Sequence, residues 1–179
     1  MRCIWPFLAA LVGALLMAGC ASPPPLQYFT LEPTQHVAIE GRESLYVSRV
    51  QVPAYLDDNR IWVRPETHRV DVLPNARWAE RLPLAITRSL RNQFGPGVAE
   101  ATGRPRLSVD IQQFEAVWAD REVGAEVVLR AAWRIGEGDA RTVTLKATAP
   151  DRRASALVRV MSNQVAQLSK VIAERSLEE

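Results

Sequence analysis

The pattern of apolar positions divides the chain into elements. An apolar run from Ile4 to Met17, broken only by small residues and Pro6, ends at Ser22-Pro23-Pro24-Pro25, which cannot continue a helix. The run is shorter than the roughly 20 apolar residues that cross a bilayer. Tyr28-Phe29-Thr30-Leu31 is rich in β-formers and stops at Pro33, predicting a first strand, and polar Thr34 to Glu43 predicts a loop. Ser44 to Val52 predicts a strand whose phase slips near Ser48-Arg49: Leu45 and Val47 share one face, Val50 and Val52 the other, as in a bulge or a strand covered on both faces. Pro53 to Asn59 reads as a turn, Ile61 to Arg64 as a strand ended by Pro65, and Arg69 to Leu73 as a short strand closed by Pro74-Asn75.

Between Arg77 and Phe94 the period lengthens. Trp78, Leu82, Ile86, Leu90 and Phe94 make one helical stripe, with the regular helix starting near Arg81 or Leu82, Pro83 in its first turn, and Gly95-Pro96-Gly97 as the stop. Arg106 to Ile111 alternates, and the phase shifts after Gln112-Gln113 to Phe114, Ala116 and Trp118. Next comes the clearest strand, with Val123, Ala125, Val127, Leu129, Ala131, Trp133 and Ile135 on one face and Glu122, Glu126, Arg130 and Arg134 on the other. The turn Gly136-Glu137-Gly138-Asp139 leads to Val143, Leu145, Ala147 and Ala149, alternating with Thr142, Thr144, Lys146 and Thr148. These three runs predict an antiparallel meander with one buried face. A long helix from about Arg153 to Arg175 carries the stripe Leu157, Met161, Val165, Leu168 and Ile172, with Asp151 or Ser155 as candidate caps. The expected fold class is α+β: a two-layer sandwich of a mostly antiparallel sheet with two helices, one central and one long and C-terminal, packed on one face.

The leading segment has the layout of a bacterial secretory signal. Arg2 is its positive region, and Met17-Ala18-Gly19-Cys20 is a lipobox in which Met17 stands where Leu is commoner. Cleavage then falls after Gly19, making 1–19 the signal peptide, 20–26 the lipidated cysteine and proline-rich leader, and 27–179 one domain. The Cys20 thiol is the lipid acceptor, and with the new amine also acylated, two or more chains give a stable anchor. About 160 residues remain, enough for one ordinary domain with a core. Cys3 and Cys20 are the only cysteines, so no thiol is left for a disulfide, metal site or nucleophile. A formal net charge of +2 with dispersed arginines offers no footprint for nucleic acid.

Candidate chemistry is sparse. His36 and His68 lie in predicted loops without helix-spaced partners, and no nucleophile elbow, phosphate loop or dinucleotide fingerprint is present. Asp57-Asp58-Asn59 lacks the downstream Gly and Glu of a calcium loop and reads as a capped turn. The alternating Glu and Arg of 122–134 read as cross-strand ion pairs on a wet face. No catalytic, metal or cofactor site is expected, the only attached group being lipid on Cys20. Among the aromatic residues, Trp62, Trp78 and Trp133 read as core, while Tyr55 and Trp118 stand between core and interface contact.

Several of these pieces occur in an order that resembles a known family. The lipobox followed by Tyr28-Phe29-Thr30-Leu31, then Val50-x-Val52-Pro53-x-Tyr55-Leu56-Asp57 with Ile61-x-Val63-Arg64, then Trp78-Ala79-Glu80-x-Leu82, looks like the ABC-type transport auxiliary lipoproteins of the PqiC or YmbA-like group. Phe29 replaces the commoner second Tyr. The resemblance implies a non-catalytic lipoprotein on the periplasmic face of the outer membrane. Its implied partner is a periplasmic MCE-domain protein that carries phospholipid or other hydrophobic cargo between membranes. Because MCE proteins are ring-shaped, a matching homo-oligomeric ring is also expected. Of the matching positions, Pro53, Trp78 and Leu82 are expected to determine the fold, whereas Tyr28, Tyr55 and Arg64, together with Trp118, are the candidates for partner docking. The competing reading is another outer-membrane lipoprotein interaction domain, such as a peptidoglycan synthase activator, although those commonly need a longer linker than the leader found here.

Overall fold

The computed structural model describes residues 24–32, 45–94, 104–118 and 124–176. The signal segment, Cys20, His36, the loop at 34–43, Gly95-Pro96-Gly97, Glu122 and Val123 lie outside the described residues. Seven strands, β1 (Gln27–Phe29), β2 (Tyr46–Val47), β3 (Arg60–Glu66), β4 (Arg69–Trp78), β5 (Arg106–Val117), β6 (Ala125–Ile135) and β7 (Arg141–Ala149), form one sheet, with helices α1 (Leu82–Phe94) and α2 (Ala154–Ser176). The sheet order is β1-β4-β3-β5-β6-β7, and β2 pairs with β5 beside β3. The meander β5-β6-β7 is antiparallel, as is the β3-β4 hairpin. The first half of the chain makes the sheet mixed, since β1 runs parallel to β4 and both β2 and β3 run parallel to β5. The class is α+β.

The phase slips in the sequence are bulges. Ser48 N–H donates to Leu107 O and Gln51 N–H to Val109 O, both at 3.0 Å, so three steps on this segment face two on β5. The extra residue leaves Val50 N–H off the ladder, and Thr87 Oγ1 of α1 accepts it at 3.0 Å. The Arg91 guanidinium donates to Val47 O at 3.1 and 3.2 Å, so α1 caps the broken edge. A second register shift between Ile111 and Gln113 is the slip read at Gln112-Gln113.

Three expectations are corrected. Pro65 does not end its strand, since β3 runs through it to Glu66. The strand begun at Arg69 does not close at Pro74-Asn75. It continues to Trp78 because Asn75 takes a positive φ of 53° and the register against β3 shifts there. Trp78 is therefore a buried strand residue at the end of β4, not the first of the helical stripe. The remaining stripe, Leu82, Ile86, Leu90 and Phe94, is buried on α1. Pro83 sits in the first turn, where no intrahelical N–H is needed.

All five residues of the predicted α2 stripe are buried, and α2 lies over β5, β6 and β7 and packs on α1. Asp151 accepts from Arg153 N–H at 2.9 Å, just ahead of the helix. Gln164 reaches down from α2 and donates to Val127 O at 2.7 Å, fixing the helix over the sheet. Both helices cover one face, and among the described residues no helix covers the opposite face of β3, β5, β6 and β7.

Candidate functional site

Across this open face, side chains two apart on each strand share the solvent side. Glu115 sits there, flanked by core-facing Phe114 and Ala116, yet its side chain is 0% exposed. A carboxylate so buried needs compensation. Arg64 Nε donates to Oε1 at 2.5 Å, Gln113 Nε2 donates to the same oxygen at 2.7 Å, and the Tyr55 hydroxyl donates to Oε2 at 3.3 Å. Arg64 also donates to Thr67 O at 3.0 Å, which ties it to the β3-β4 turn.

Tyr55 comes from the 3-10 turn Ala54–Leu56 that follows Pro53, and its ring meets Trp62 edge-on with centroids 5.7 Å apart. Burial pushes the Tyr55 hydroxyl up to about 12, helped by the negative charge of Glu115 and the hydrogen bond to it. The Arg64 guanidinium is held above its ordinary value mainly by its hydrogen bond to Glu115. Trp118 N–H of the backbone donates to Arg64 O at 2.9 Å, extending the β5-β3 pairing, and the Arg152 guanidinium lies 4.9 Å from the center of the Trp118 ring. Arg152 also donates to Gly124 O at 3.1 Å, linking the ends of β5 and β6 to the turn before α2.

Three of the four docking candidates, Tyr55, Arg64 and Trp118, thus line one concavity of about 890 Å³, with Val128 on its floor. The fourth, Tyr28, is 63% exposed on edge strand β1, separated from β3 by β4. Glu115, Gln113 and Arg152 complete the arrangement and were not singled out from the sequence. Trp62 is half-buried under Arg60, whose guanidinium lies 4.7 Å from the ring center. His68 is exposed in the β3-β4 turn.

Of the wet-face charges on β6, Glu126 pairs with Lys146 at 3.0 Å, whereas Arg130 and Arg134 have no ion pair among the described residues. Asp58 accepts from Arg60 N–H at 2.8 Å, and Asp57 pairs with Arg81 at 2.7 Å, so these acids brace the turn. Among the described residues no group of His, Cys, Asp and Glu could hold a metal ion, and no helix is long and apolar enough to cross a membrane. A phenol protonated to about pH 12 beside a sealed carboxylate is suited to fixed contact, with its donors and aromatic faces set in advance.

A family model described as ABC-type transport auxiliary lipoprotein component matches residues 28–173. No curated protein matches the chain. Among solved structures, one described only as an uncharacterized protein is similar at TM-score 0.66 and 19% identity, over 85% of this chain and 99% of its own. A Xanthomonas campestris protein of the DUF330 family is similar at TM-score 0.59 and 19% identity, over 83% and 84% respectively. At these identities the structural likeness carries the fold alone.

Proposed function

Because the chain belongs to the ABC-type transport auxiliary lipoprotein component family, we propose that it is a non-catalytic subunit tethered through Cys20 to the periplasmic face of the outer membrane, where it docks an MCE-domain assembly that moves lipid between membranes. In this reading the open sheet face is the docking surface. The observation that carries it is the convergence of Tyr55, Arg64 and Trp118 on one concavity, with Tyr55 and Arg64 pinned by the sealed Glu115 carboxylate. Tyr, Trp and Arg are the residue types that dominate interface energetics, and held rotamers lower the ordering cost of binding. Tyr28, on the far edge strand, remains a partner-docking candidate outside this concavity, and a homo-oligomeric ring that matches the partner's symmetry is proposed alongside it.

The test is affinity capture of the lipidated protein, with identification of what is retained. Recovery of an MCE-domain protein from the parent, reduced severalfold by Trp118→Ala in a variant that still melts cooperatively, supports the reading. Recovery of cell-wall synthases alone overturns it in favor of a peptidoglycan synthase activator.

A further inference from the structure

The open face carries a second concavity, of about 570 Å³, at the other end of β5, and its charge is unbalanced. Arg49, Arg106 and Arg134 line it, with Ser108 between them and Asp110 as the only acid in its wall among the described residues. The β5-β6 register sets Ser108 opposite Arg134, and Arg106 is two residues from Ser108 on the same strand face. Among the described residues Arg106 and Arg134 have neither an ion pair nor a hydrogen bond from the side chain. Arg49 approaches Asp57 only at 4.0 Å, with its side chain 60% exposed. Asp110 lies a further two residues along β5, about 7 Å beyond Ser108 at the rise of a strand, and is opposed by the small Ala132.

Three positive charges therefore face one negative charge in a shallow bowl. Like charges brought together this way repel, and an anion shared between them relieves the repulsion. Guanidinium groups present planar paired donors that match the oxygens of a phosphoryl group or carboxylate better than an ammonium does. We propose that this bowl is an oxyanion site for a phosphoryl group, either from a free phosphate or from the headgroup of an anionic phospholipid. Arg106 and Arg134 are the principal ligands, Arg49 is the third cation, and the Ser108 hydroxyl is a neutral donor. The inference is independent of the docking reading, which depends on Tyr55, Arg64 and Trp118.

The experiment titrates the folded, unlipidated chain with inorganic phosphate by calorimetry, and separately with phosphatidylcholine vesicles made with and without phosphatidylglycerol. The variants are Arg106→Gln/Arg134→Gln and, as a control on the exposed side of α2, Arg159→Gln. Saturable phosphate binding that weakens about tenfold in the double variant, and with added salt, establishes the site. Binding only to phosphatidylglycerol vesicles, lost in the same variant, establishes it as a headgroup site. No saturable response to either probe overturns the inference, as does a double variant that folds and binds like the control. Either failure leaves the capture experiment on the docking face unaffected.

Discussion

Glu115 shows how one buried charge can organize a surface. Its carboxylate is sealed, and two of its three donors, Arg64 and Tyr55, come from residues 51 and 60 positions away. Removing one partner of such a pair costs about 3 to 5 kcal/mol because the other charge is stranded, whereas replacing both by apolar groups of similar volume is often neutral. Arg64→Met is accordingly expected to lower unfolding stability by about 3 kcal/mol, less whatever Arg64's partial exposure recovers, and Arg64→Met/Glu115→Leu is expected to regain most of it. Urea denaturation of both variants checks this. If the double variant is no better than the single, the pair is not what stabilizes the site.

Tyr55 gives a second residue-scale prediction. Its folded pKa of about 12 lies above the unfolded 10.0, so its contribution is complete below pH 10 and lost as pH rises from 10 to 12. A shift of that size, discounted for half-exposure, corresponds to about 1 to 2 kcal/mol. Tyr55→Phe should flatten the fall in stability across that window relative to the parent. An unchanged slope between pH 9 and about 11.5 would show that burial and Glu115 do not hold the hydroxyl protonated in this window. None of this was legible locally: the sequence places Glu115 between Phe114 and Ala116 as an ordinary wet-face acid, and only the fold brings Arg64 and Tyr55 to it.

At the level of elements, what could be read and what could not have different physical causes. The stripes of α1 and α2 and the alternation of β6 and β7 were legible because each depends on neighbors within a few residues. The slips at Ser48-Arg49 and Gln112-Gln113 were legible as well, since a bulge switches side-chain phase. Pro74-Asn75 misled because a proline usually ends a strand, yet here the left-handed Asn75 lets β4 carry on and deliver Trp78 to the core. The parallel pairings of β2 and β3 with β5 left no local trace, because parallel partners are brought together by distant chain. Two glycines offer a matched test. Gly124 has φ +93° and an added Cβ would lie 3.0 Å from Ala149 O, whereas Gly136 has φ +54° and open space. Gly124→Ala should cost about 2 kcal/mol. Gly136→Asn, which tolerates left-handed backbone, should cost under about 1 kcal/mol. Thermal melts compare them directly, and equal losses would contradict the close approach at Gly124.

For the molecule as a whole, the two layers divide the work. The helices close one side of the sheet and provide the core, leaving the other side for the proposed docking, and the described chain starts with exposed Pro24 to Leu26. Because that start is exposed, a chain beginning at Pro24 should melt within a few degrees of the lipidated protein, as expected of changes that touch no buried group. Its address should nevertheless change: exported on a cleavable signal and without Cys20, it is expected in the soluble periplasmic fraction, whereas the proposed anchor predicts that the parent sediments with outer membrane. Partner affinity measured in solution should match that of the parent, since the open face is unaltered, yet partner recovery from cells should drop because tethering supplies a high effective concentration. A truncated chain that still sediments with membrane would move the anchor away from Cys20. Loss of affinity in solution would instead mean that the leader is itself part of the docking surface.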